Sequence, residues 1–208
     1  MLHTEAIEPG TLSLLTQLIQ MESLRPFSLV GETALALRFG HRTSIDLDLF
    51  YNQSFDVNSL INQLENVFGN NFSYKQNLLR FGIFGFIYTI KIDLVYYPHP
   101  IIQPEETIQS IRFYSLADIS AMKIQAILGR GKKKDFWDIH QLLQQFSLDQ
   151  IIQWHQEKYP TQMLAISIPH ALTWFTDAEE TEAPVSLKGQ TWEQVKSGIQ
   201  KAVREYLS

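Results

Sequence analysis

Two aspartates, Asp46 and Asp48, sit two residues apart inside the apolar run TSIDLDLFY. On an extended strand that spacing sends both side chains, with Ser44, to one face and Ile45, Leu47 and Leu49 to the other. Neighbouring carboxylates repel each other and lose hydration when half-buried, so the pattern calls for a cation between them. Oxygen ligands at this separation suit a hard divalent ion such as Mg2+. A third carboxylate, Asp93, lies in a second strand-like run, FIYTIKIDLVYYP, where Ile92 and Leu94 point away from it. Mg2+ keeps several waters and draws its remaining ligands from substrate phosphates, which directs the reading to nucleotide chemistry.

The elements that must hold these residues can be read around them. FSLV, residues 27–30, is a short apolar strand ending at Gly31, and ETALALRF is a helix of good formers stopped by Gly40. A glycine between strand and helix lets backbone N–H groups approach a phosphate at the positive end of the helix. Residues 11–24 carry Leu12, Leu15 and Ile19 at helical spacing before the breaker Arg25-Pro26. Residues 58–68 predict a further helix, and SYKQNLLRFGIFG and FIYTIKIDLVYYP predict strands. Beyond Pro104 the chain turns helical: 115–131 opened by Ser115, then about 135–146, then 148–159. Residues 176–190 are acidic and read as a surface loop, and Thr191 with Gln194 frames a last helix.

Composition narrows the partners. The 208 residues are 45% apolar and 19% charged, enough for a folded core, and there is no internal repeat. The absence of cysteine excludes disulfides, thiolate nucleophiles and sulfur-based zinc sites, and fits a reducing interior. No stretch approaches the ~18 uninterrupted apolar residues of a spanning helix, and the first residues lack a signal pattern, so a cytoplasmic protein without membrane contact is expected. With a net charge of -5, any polyanion must be held locally, and Lys132–Lys134 beside Arg130 is the one concentrated basic cluster.

GETALAL followed by GHRTSIDLDLF resembles the AbiEii/AbiGii family of nucleotidyltransferase-like toxins, members of the DNA polymerase beta-like nucleotidyltransferase superfamily. MKIQAILGRGKKKDFWDI is similar to that family's second signature: a lysine on one helix, a basic turn, and Asp-x-x-Asp opening the next. The likeness covers about residues 27–146. It implies an α+β fold, a nucleotidyltransferase-like mixed sheet flanked by helices, with a core over residues 1–105 and a helical C-terminal region over 106–208 completing the cleft. Carried over by position, it implies Gly31 and Thr33 in a phosphate loop, Ser44 beside it, and Asp46 and Asp48 as the metal pair. Asp93 becomes the third metal-side carboxylate and the activator of an attacking hydroxyl. Lys123 contacts triphosphate, and Arg130, Lys134 and Asp135 form a second cluster.

The resemblance further implies Mg2+ or Mn2+ as cofactor, a nucleoside triphosphate (NTP) as substrate, RNA (especially the tRNA 3' end) as acceptor, and a cognate antitoxin as partner. One position departs from the family: Glu32 stands where a small Gly or Ser is common. A carboxylate there repels a triphosphate unless it turns away or binds a cation. Glu32 and the net charge of -5 motivate a competing expectation, a module that binds nucleotide or partner without transfer; the wider superfamily resemblance implies another, transfer to a protein or small-molecule hydroxyl.

Several of these residues also have ordinary structural explanations. The acidic pair could line a solvated sheet face. Lys123 could snorkel from a helix edge, Asp135 and Asp138 could be helix caps, and Lys132–Lys134 a solubilising turn. His41 and Arg42 could orient the loop or approach phosphate, and a salt bridge from Arg42 to a carboxylate fits equally. His99, His140, His155 and His170 show no ligand spacing, while Trp137, Trp154 and Trp174 are expected in the core.

Overall fold

β-Strand alternation builds the centre of the molecule, which was described for residues 1–208 from a computed structural model. Strand β5 (Ile90–Tyr96) buries Ile92 and Leu94 on one face and turns Lys91 and Asp93 to the other. Strand β2 (Leu47–Tyr51) runs parallel to it and does the same with Leu47 and Leu49 against Asp48. On its other edge β2 pairs antiparallel with β1 (Ser28–Val30), and β5 pairs antiparallel with β4 (Gly82–Ile87), itself flanked by β3 (Phe72–Tyr74). A hairpin, β6 (Glu106–Ile108) and β7 (Ile111–Phe113), joins parallel to β1. The mixed sheet thus has seven strands in the order β3-β4-β5-β2-β1-β7-β6. Its β7-β6 edge comes from chain beyond residue 105.

Helices complete an α+β architecture. Helix α1 (Pro9–Gln20) starts with proline in its first turn, where no N–H partner is lost, and buries Leu14, Leu15 and Leu18. Helix α2 (Gly31–Phe39) follows β1 without a loop and ends at Gly40 in the left-handed conformation. Helix α3 (Val57–Phe68), capped by the Asp56 carboxylate on the Ser59 N–H, lays Leu60, Ile61, Leu64 and Phe68 on the β3-β4 end of the sheet. Helix α4 (Leu116–Gly129) is capped by Ser115 and packs against α5 (Lys133–Leu142) and α6 (Leu148–Lys158). Short helices α7 (Ile168–Thr173) and α8 (Thr176–Glu179) precede α9 (Trp192–Leu207), whose Thr191–Gln194 capping box forms as its sequence predicts. One continuous apolar cluster runs from Leu2 to Val203. No helix is long and apolar enough to cross a membrane.

Four expectations need correction. Strand β2 starts at Leu47, not Ser44, and Ile45 is exposed rather than part of an apolar back. Here the chain is held by other bonds: the Ser44 N–H donates to the Ala6 carbonyl, and the Thr11 hydroxyl to the Ile45 carbonyl. The two strand-like runs divide differently: SYKQNLLRFGIFG is two strands separated by a short 3-10 turn over Gln76–Leu78, and in FIYTIKIDLVYYP Phe86 and Ile87 close β4 before a tight turn leads into β5 at Ile90. The acidic segment 176–190 begins with α8 rather than as loop throughout. Trp137 is in the core, but Trp174 lies half-exposed after the six-residue α7, too short to bury it.

Candidate active site

The strand-to-helix junction and the two acidic strands meet. Register places Asp48 of β2 beside Asp93 of β5 on one side and beside Val30 of β1 on the other. Gly31 follows Val30 with φ +70°, and a Cβ at that position would stand 2.5 Å from Asp48 Oδ2. Only glycine accommodates both the backbone angle and the carboxylate. The α2 N-terminus is therefore packed directly on Asp48. Asp46 precedes β2, its carbonyl accepting the Thr33 hydroxyl, which also bonds Ser44 Oγ at 2.8 Å. Thr33 and Ser44 are buried and brace the acidic loop against α2 rather than opening towards the cleft.

A cavity of about 370 Å3 lies between this sheet face and α4, with Gly31, Glu32, Asp48, Asp93, Lys123 and Arg130 among its walls. Asp48 is pushed up to about 7 by burial, with the neighbouring Asp93 charge adding to it. Burial, then the charge of Glu32, also raises Asp46. These are carboxylates held in close company without enough positive charge. Asp93 Oδ1 is buried without a hydrogen-bond partner. Its other oxygen accepts from Lys91 Nζ at 2.5 Å. Burial opposes the Lys91 charge, but the bond to Asp93 and the Asp48 charge hold its pKa above the ordinary lysine value.

The second cluster forms the floor opposite the acids. Lys123 Nζ lies 2.6 Å from Asp138 Oδ2 and 3.3 Å from Asp135 Oδ1. Arg130 donates twice to Asp135, at 3.0 Å each, while its side chain remains half-exposed towards the cleft. Asp138 also takes two bonds of 2.8 Å from Arg42 and one of 2.8 Å from His41 Nε2. Burial would raise Asp138, but Arg42 and Lys123 overcome it and hold the carboxyl well below its usual range. Asp135, likewise opposed by burial, is held down by Lys123 and Arg130.

Glu32 is buried and bonds Arg42 Nη2 at 3.1 Å and Lys134 Nζ at 2.5 Å. Against its burial, Arg42, Lys123 and Lys134 keep it ionised and lower its pKa. Its charge is thus matched by cations, the condition under which a carboxylate at this turn is tolerated.

Of the residues singled out around the two signatures, Gly31, Glu32, Asp48, Asp93, Lys123 and Arg130 line the cavity, whereas Ser44, Asp46 and Lys134 line a neighbouring hollow shared with Glu32, and Thr33 and Asp135 are buried. Their roles differ from a simple ring of ligands. Asp135 is wholly buried as a partner of Lys123 and Arg130, and Lys134 is engaged with Glu32. Sequence reasoning placed Asp138 in the second signature and offered Arg42 a salt bridge to a carboxylate without naming its partner, and it passed over Lys91. Lys91 had a local signal, its two-residue offset from Asp93 on the same strand face.

The model of the family described as "Nucleotidyl transferase AbiEii toxin, Type IV TA system" matches residues 13–197. The chain belongs to the AbiEii family of nucleotidyltransferase toxins. A similar chain, "Uncharacterized protein aq_aa25" of Aquifex aeolicus (strain VF5), is 30% identical over 200 residues, 93% of this chain and 94% of its own. JHP933 from Helicobacter pylori superposes with a TM-score of 0.57 at 17% identity, over 96% of this chain and 92% of that one. MenT4, the nucleotidyltransferase toxin Rv2826c from Mycobacterium tuberculosis H37Rv, gives 0.59 at 15% identity, over 92% and 80%. These structural likenesses show a shared fold over both acidic strands and the helical half.

Proposed function

We propose that this AbiEii toxin transfers a nucleoside monophosphate from an NTP to an RNA hydroxyl, with the tRNA 3' end as the acceptor, in the cytoplasm and under the control of a cognate antitoxin. The observation that carries this reading is the seat of Asp48 between the α2 N-terminus and Asp93. A helix N-terminus favours triphosphate, and adjacent carboxylates favour the cations that accompany it.

The residues fit a divalent ion in their chemistry. Asp93 Oδ1 is an orphaned buried acceptor, and Asp46 and Asp48 are carboxylates disfavoured as anions when alone. No three acidic or histidine side chains already converge on one ion position, and Lys91 occupies the other Asp93 oxygen. Asp46, Asp48 and Asp93 would hold Mg2+ or Mn2+, which when bound supplies charge neutralisation for phosphate oxygens.

The chain's own groups then divide the work. Gly31 gives the triphosphate a close approach to the backbone, and Lys123 on α4 with Arg130 just past its end faces it. Asp93 accepts the proton of the acceptor hydroxyl as its oxygen bonds to the α-phosphorus. The bond from that phosphorus to the bridging oxygen breaks, and pyrophosphate leaves with the electron pair. The core up to about residue 105 carries the carboxylates, and the later helices close the opposite wall.

A transfer-deficient module was motivated by the Glu32 charge and the net charge of -5; the pairing of Glu32 with Arg42 and Lys134 weakens the first motive and leaves the second. Incubation with Mg2+, each α-labelled NTP and total RNA tests the proposal. Label on RNA from wild type and none from Asp46→Ala is expected. Label only in protein or small molecules would replace the acceptor, and NTP binding with no labelled product would restore the binding-module reading.

A further inference from the structure

Beyond the carboxylates, the same sheet face continues uncovered. In the antiparallel β4-β5 pair, Phe84 stands opposite Asp93 and Phe86 opposite Lys91. Ile83, Gly85 and Ile87 point to the buried face, so both phenylalanines lie on the acidic side. Phe86 is 44% exposed and Phe84 partly exposed, on a strand whose reverse face is filled by α3. β4 lies one strand in from the sheet edge; α4 walls the cavity over Asp48 and Asp93, and neither phenylalanine is part of that wall.

We infer that Phe84 and Phe86 form a stacking platform for the bases of a single-stranded polynucleotide, presenting its terminal hydroxyl to Asp93. The inference deepens the transfer reading and rests on it for the identity of the acceptor. Residues directly opposite in an antiparallel pair have Cα atoms roughly 5 Å apart, so a base on Phe84 brings its ribose to the catalytic carboxylate. The two rings are spaced about 6.7 Å along the strand, matching bases splayed onto separate platforms rather than stacked on each other. Aromatic faces on an open sheet accept any base, because every base has a π-face.

Charge agrees with this occupant. The Lys91 side chain is 41% exposed beside Phe86. Its ammonium spends one donor on Asp93 and keeps two for a phosphate oxygen. A protein seated here would cover Asp93 and close the cleft to any acceptor, whereas a strand end fits alongside the reacting group.

The test is binding of a fluorescein-labelled single-stranded oligoribonucleotide, without NTP, to wild type, Phe86→Ala, Phe86→Leu and Phe86→Trp, with NTP affinity measured in parallel. Phe86→Ala and Phe86→Leu are expected to lose affinity on the order of 10-fold, while Phe86→Trp keeps it and its indole emission is quenched by the RNA. NTP affinity stays unchanged in all variants. Equal RNA affinity across the series, or no RNA binding by wild type, would each overturn the platform. Failure of the transfer reading shows separately, as absence of α-label in any acceptor. Label entering RNA with equal affinities across the series would remove the platform alone.

Discussion

Arg42 grips Asp138 through two bonds of 2.8 Å, tying the segment before the acidic strand to a helix almost a hundred residues later in the chain. Both groups are fully buried, as is Lys123 on the other side of the carboxylate. Removing the shared anion leaves Arg42 with Glu32 alone and Lys123 with the longer contact to Asp135 alone. Asp138→Ala is expected to cost about 3–5 kcal/mol in urea unfolding, the range for a broken buried pair. A loss below about 1 kcal/mol would show that Asp138 does not organise this floor.

Glu32 shares Arg42 with Asp138 and adds Lys134. Neutralising it leaves the stronger Asp138 contact in place, so Glu32→Gln should cost only about 1–2 kcal/mol of stability. The charge removed was already balanced, and NTP affinity by calorimetry should change by less than about threefold. A rise of tenfold or more would mean that the Glu32 carboxylate faces the triphosphate as a free anion.

The part of the site that was legible in the sequence is the part written in local periodicity. Alternation alone puts Asp48 and Asp93 opposite Leu47, Leu49, Ile92 and Leu94, and the structure keeps those faces. Alternation fails at Ile45, where tertiary bonds from Thr11 and Ala6 hold the backbone outside the ladder. The Arg42–Asp138 and Glu32–Lys134 pairs join distant segments and leave no spacing to read, so Asp138 looked like a helix cap. Asp135 and Lys134 were identified as site residues, but their direct partners, Lys123, Arg130 and Glu32, emerge only once α4 and α5 pack beside α2.

Gly31→Ala tests the junction at the helix start. A methyl group must enter a left-handed backbone angle and meet Asp48 Oδ2. The backbone alone costs about 1–2 kcal/mol, and the contact pushes Asp48 out of register with Asp93. Nucleotidyl transfer should fall by one to two orders of magnitude, more than the stability loss explains, because positional errors near 1 Å have effects of that size. Transfer within twofold of wild type in a folded variant would detach Gly31 from the reaction.

His155 offers a pH test away from the cleft. It is buried, with Nε2 3.0 Å from the Gln125 side-chain oxygen, and burial lowers its pKa to about 4. The unfolded chain titrates near 6.5, so between those values the unfolded state binds more protons and stability rises with pH. The His155 contribution is full above about 6.5 and is lost as pH falls towards 4, at roughly 1.4 kcal/mol per pH unit. His41 and His140, also lowered chiefly by burial, add slope of the same sign. His155→Gln keeps a neutral amide able to donate to Gln125 and removes one share of that slope. Urea unfolding at pH 7.5 and 5.0 should therefore show wild type losing about 2 kcal/mol more than the variant over this interval. Parallel losses in the two proteins would mean that His155 remains hydrated in the native state and titrates there as it does in the unfolded chain.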